Sequence, residues 1–112
     1  MREVRAAIDA LDDGILDLLA RRVGYVERAA ELKPAEGLTA RAPERKREVL
    51  ERVASGAEAR GVPGDLATQL WSLLIAWGVA HETRLIAAAQ LRVGADDEDI
   101  RSRLVAAPQR PI

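Results

Sequence analysis

Three cations interrupt what is otherwise an apolar helical stripe near the start of this 112-residue chain. Between Arg5 and Lys33, the residues Ile8, Leu11, Ile15, Leu18, Val26 and Ala29 recur at spacings of three, four and once eight. That is the period of one buried helix face. Arg22 fills the gap between Leu18 and Val26, and Arg5 and Lys33 continue the series at its ends. A charge on a core-facing stripe is costly unless something pairs with it. No carboxylate lies on the stripe, so the expected partner is an anion from outside the chain. Arg22 and Lys33 stand eleven residues apart, which places them within about 20° of one face and roughly 16 Å apart along the axis. Two long side chains leaning toward each other can hold a small ligand there. Arg5 lies roughly 25 Å from Arg22 on the same rod, so it reaches that ligand only from a partner helix running antiparallel. Arg45, at the entrance of the second helix, is placed to close the pocket from another side. Four converging cations suit a small dianion, a dicarboxylate above all.

Other chemistries find little support. There is one His and no Cys, and Ser55, Ser72 and Ser102 have no base beside them in sequence. No Gly-rich phosphate loop and no cluster with metal-ligand spacing is present, so neither a cofactor nor a metal is expected. What remains is catalysis by positioning and by electrostatic preorganisation, which needs only fixed charges around a reactive conformer.

The elements that must hold these cations are helices. The first is expected from about Arg2 to Leu32, ended by Pro34 and weakened by about 1 kcal/mol at Gly14. Residues 34–42 read as a loop from their Pro, Gly and Thr content. The second helix starts near Pro43, a residue favoured at the first helical position, and ends at Gly61. Its residues Arg45, Val49, Val53 and Ala57 share one face. Asp65 is a candidate N-cap for a third helix from Leu66 to about Leu91, apolar nearly all round to Ala80 and therefore expected at the centre, with Trp71 and Trp77 in the core. Beyond Arg92 the acidic run and two prolines predict a flexible tail, which divides the chain into a helical domain (1–91) and a tail (92–112). A rod of roughly 45 Å cannot be covered by two shorter helices. It is expected to protrude and bury its stripe in an intertwined homodimer.

Composition fits this all-α reading. Hydrophobic residues are 48%, yet aromatics are only 3%, and the apolar mass of Ala, Leu, Val and Ile favours packed helices. The net charge of −1 argues against nucleic-acid binding, which needs a sustained basic surface. No stretch is long enough to span a bilayer, no leader pattern is present, and a cytoplasmic location is expected.

The pattern Arg5-x-x-Ile8-x-x-Leu11-Asp12, then Leu18-Leu19-Ala20-Arg21-Arg22, then Lys33, then Arg45 resembles the all-helical (AroQ) class of chorismate mutases. The resemblance covers about Arg5 to Gln90 and implies a three-helix type II fold. In that family the dianionic enol ether chorismate is folded into a pseudo-diaxial chair and rearranges to prephenate without covalent help. The resemblance implies that Arg22 and Arg45, with Arg5 of the other subunit, grip carboxylates. It implies equally that Lys33 donates to the ether oxygen, where negative charge develops.

Three positions depart from the mutase pattern. Glu82 stands where the family commonly has a Gln donor, and a carboxylate must be protonated to donate, which implies a preference for lower pH. Lys46 stands where an acid often binds the substrate hydroxyl, and Ala42 replaces a loop Asp. The last two changes, with Arg21-Arg22-x-x-Tyr25-Val26, Ala42-Pro43-Glu44-Arg45 and Ile75-Ala76-Trp77, are similar to isochorismate pyruvate lyases, which convert isochorismate to salicylate and pyruvate. Mutases of 4-amino-4-deoxychorismate are a further relative, disfavoured because Lys46 would repel the substrate's ammonium. A non-catalytic helical binding module is the reading from another class. The residues expected at the site are thus Lys33 and Glu82 for catalysis and Arg5, Arg22, Arg45 and Lys46 for binding; His81 is expected at the surface.

Overall fold

The computed structural model describes residues 1–106. Among them are three α-helices and a 3₁₀ turn, with no strand: α1 (Arg2–Leu32), the turn Pro34–Glu36, α2 (Pro43–Ala59) and α3 (Gly64–Ala106). The molecule is a splayed object of 85 × 35 × 15 Å. Its first helix has the bounds its sequence predicts. Good helix formers fill it, and Glu3 in the first turn complements the helix dipole although no side chain caps that end.

Pro34 ends α1 differently from expectation. Lys33 keeps helical angles (φ −55°, ψ −46°) despite preceding proline, and its N–H still donates to Ala29 O. The chain then tightens into the 3₁₀ turn, closed by Gly37 at φ +71° with Gly37 N–H donating to Pro34 O and Leu38 N–H to Lys33 O. The end of α2 repeats the same closure. Gly61 adopts φ +70°, its N–H donates to Glu58 O, and Val62 N–H donates to Ala57 O. Both are Schellman arrangements, which satisfy terminal carbonyls through a left-handed residue.

The third helix differs at both ends. It begins at Gly64, so Asp65 lies inside its first turn rather than capping it. It also runs to Ala106 instead of stopping near Leu91. Charge alone does not break a helix, and no proline interrupts this one before Pro108. Residues 107–112 of the expected tail lie outside the described residues.

The core is built from small side chains where helices approach closely. Ala30, Ala40, Val49, Ala57 and Ala67 are buried, and no large side chain among the described residues is fully so. Gly78 of α3 faces Val26 of α1 so closely that a Cβ there would sit 3.8 Å from a Val26 methyl. The α2 face reads as predicted, with Val49 and Ala57 buried and Val53 partly so. The central burial expected for α3 holds on one side only: Leu66, Leu70, Leu73 and Trp77, spaced four, three and four, are 43–67% exposed. Trp77 is therefore not a core residue of the single chain, and Trp71 is half-buried. The α1 stripe is also uncovered over its first half, where Val4, Ile8, Leu11, Ile15 and Leu18 are 51–67% exposed. From Val26 onward α3 packs on it, with Gly78 opposite Val26. No helix among the described residues is long and apolar enough to cross a membrane.

Candidate functional site

Lys33 occupies the junction of all the elements. It caps the C-terminal end of α1, it is followed by the 3₁₀ turn, and its side chain reaches across to α3 and to the loop before α2. The Nζ donates to Glu82 Oε2 at 2.7 Å and to the carbonyl of Ala40 at 3.3 Å. Glu82 is the only buried charged residue among those described. The expectation that Lys33 lacks a partner within the chain is thus overturned: the acid comes from α3, forty-nine residues away in sequence, and no inspection of the α1 stripe alone can reveal it.

An ammonium has three donors. Two are used internally, which fixes the nitrogen and leaves one N–H for a ligand. Glu82 is an acceptor here, through Oε2. Its other oxygen makes no hydrogen bond among the described residues. A cleft of about 570 Å³ adjoins this group, lined by Lys33, Leu38, Thr39, Arg41, Pro43 and Glu44 among others. The loop that shapes it is held by the Gly37 turn and by a Thr39 Oγ1 bond to Arg41 O at 3.1 Å.

The other expected site residues are placed less tightly. Arg22 is half-buried on the same stripe as Lys33 and has no ion pair among the described residues. Arg5 is exposed near the far end of α1, equally unpaired and far from Lys33. Arg45 starts α2 with its side chain 61% exposed and pairs with Glu48 at 2.8 Å. Lys46 points elsewhere: it lines a separate groove on α2 with Arg47, Leu50 and Ala54, and does not line the Lys33 cleft. One chain therefore assembles Lys33 with Glu82 and leaves Arg5, Arg22 and Arg45 apart.

Two contributors escape sequence reading. The Ala40 carbonyl carries no side-chain signature at all. His81, expected at the surface, is half-buried and links helices. Its ring stacks on Trp77 with centroids 4.7 Å apart, Arg84 Nη2 donates to Nδ1 at 3.3 Å, and Nε2 lies 3.3 Å from Glu27 Oε1. Because Arg84 only donates, Nδ1 accepts, and Nε2–H is left to donate to Glu27. This second bridge ties α1 to α3 beside Glu82.

The family profile described as chorismate mutase type II matches residues 4–83. The chain is 32% identical over 84 residues to the isochorismate pyruvate lyase of Pseudomonas aeruginosa, covering 75% of this chain and 82% of that protein. It is 26% identical over 90 residues to the chorismate mutase of Methanocaldococcus jannaschii, covering 80% and 91%. Similarity to the T-protein of Enterobacter agglomerans is 43% over 63 residues, 56% of this chain but only 17% of that longer protein.

Proposed function

Since the chain belongs to the chorismate mutase type II family, an enzyme family, we propose that it catalyses the rearrangement of chorismate to prephenate by electrostatic preorganisation. The observation that carries this reading is the anchored ammonium of Lys33, held by Glu82 and Ala40 with one donor left over a cleft. A donor fixed before the reaction incurs no reorganisation as charge develops on the ether oxygen. As the C–O bond breaks and the new C–C bond forms, Lys33 stabilises that oxygen. Glu82 accepts from Lys33 and holds that donor in place. Arg22 and Arg45 hold the carboxylates.

The site is completed by a second copy of the chain. A compact protein of 12.2 kDa exposes about 6,000 Å², whereas this one exposes 9623 Å². The excess includes the bare apolar stripes of α1 and α3. An antiparallel homodimer covers them and carries Arg5 of one protomer to Arg22 of the other, supplying the cation that no single chain brings there.

A second reading is elimination of pyruvate from isochorismate. It is favoured by Ala42 and Lys46, and by similarity across 82% of the Pseudomonas aeruginosa lyase. Separate incubation with each substrate distinguishes them: prephenate supports the mutase, and salicylate with pyruvate supports the lyase. Binding of either without turnover supports a non-catalytic module. Absence of both sets of products between mildly acidic and neutral pH overturns both enzyme readings.

A further inference from the structure

Two polar links cross from α1 to α3. One joins Lys33 to Glu82; the other, one residue earlier on α3, joins Glu27 to His81. Glu27 and Lys33 are six residues apart, roughly 9 Å along α1. Where the helices approach, Gly78 faces Val26, and no large side chain among the described residues is fully buried. Such smooth surfaces let one helix slide on another, and polar contacts are what pin a register. His81 is well placed to pin this one. Its ring stacks on Trp77 with planes 21° apart, and Arg84 Nη2 donates to its Nδ1. With Nδ1 accepting, the hydrogen sits on Nε2, which faces Glu27 Oε1 at 3.3 Å. Orientation and tautomer are thus both set from within α3. The two side chains are 21% and 49% exposed, so the link adds little to global stability. What it fixes is position, and Glu82 is the next residue. A slip of about 1 Å would lengthen the 2.7 Å contact of Glu82 with Lys33 beyond hydrogen-bonding range.

We infer that His81 is a positioning residue: its bridge to Glu27 holds α3 in the register that seats Glu82 against Lys33. The register is a property of the fold, while its effect on turnover rests on the proposed role of Lys33 as donor.

The chain has two lysines, Lys33 and Lys46, and Lys46 lies in a groove of α2 away from both links. Reductive methylation of the intact chain at neutral pH, read by mass spectrometry, therefore reports the shielding of Lys33 against an internal standard. His81→Phe keeps a ring beside Trp77 and removes both nitrogens. The ratio of Lys33 to Lys46 labelling is expected to rise about fivefold, and kcat for chorismate to fall about tenfold with KM within about twofold. Glu27→Ala, an exposed change to a good helix former, should give the same shifts, and the double variant no more than either. His81→Gln, whose amide N–H donates to Glu27, should recover most of the ratio and of the rate. An unchanged ratio in His81→Phe and Glu27→Ala overturns the inference. So does a rise that His81→Gln fails to reverse, or one that multiplies in the double variant. Should His81→Phe fail to fold, as judged by circular dichroism, the ratio in Glu27→Ala decides. If the unaltered protein does not turn chorismate over, the mutase reading falls, while the labelling ratios still decide the role of His81.

Discussion

The two halves of α1 carry one stripe and meet different surroundings. From Val26 to Lys33 it packs on α3, with Gly78 against Val26, His81 against Glu27 and Glu82 against Lys33. From Val4 to Leu18 the same periodicity stands exposed among the described residues. The contrast extends to the charges: Lys33 has an internal counter-ion, while Arg5 and Arg22 have none among the described residues. A period of 3.6 residues states that a face is to be buried, but not whose surface buries it. The half left bare is the half whose partner belongs to another molecule under the dimer reading.

Experiments can break that contrast in order of expected effect. Lys33→Ala removes the anchored donor, and turnover of chorismate should fall about a thousandfold or more; a variant near full rate would take Lys33 out of the chemistry. Ile15→Glu places a charge in the bare half, and sedimentation should show monomers with lost activity, since an unpaired charge cannot be buried in an apolar interface. Persistence of a dimer would mean the stripe is not the contact. Mixing Arg5→Ala with Arg22→Ala, each inactive, should restore about a quarter of wild-type activity after subunit exchange, because half the dimers then contain one intact site of two. No recovery would place both arginines in the same chain's site.

The covered half gives smaller effects. Gly61→Ala forces a left-handed residue to carry a side chain, with open space around it, so the cost is conformational. Denaturant melts should show a loss of about 1–2 kcal/mol with turnover unchanged.

Much of the framework was legible from local signals. The bounds of α1, the Pro43 start of α2 and the closure at Gly61 follow from proline, glycine and helix propensity, which act within a few residues. The end of α3 departs from expectation because an acidic run predicts loss of helix, although nothing there removes a backbone hydrogen bond. Trp77 departs from its expected place because apolar character predicts burial, whereas the single chain leaves that side of α3 open. Of the site, Lys33 and Arg22 were visible as interruptions of a stripe.

The sequence by itself determined a long amphipathic helix bearing cations on its apolar face, since helical period and charge are properties of neighbouring residues. Only the tertiary structure decided that Glu82 and the Ala40 carbonyl, distant in sequence, would meet the ammonium of Lys33. It also decided that the first half of α1 would stand bare. Which side chains lie opposite one another depends on how α1 and α3 cross, and a contact between residues forty-nine positions apart leaves no trace in the periodicity of either helix.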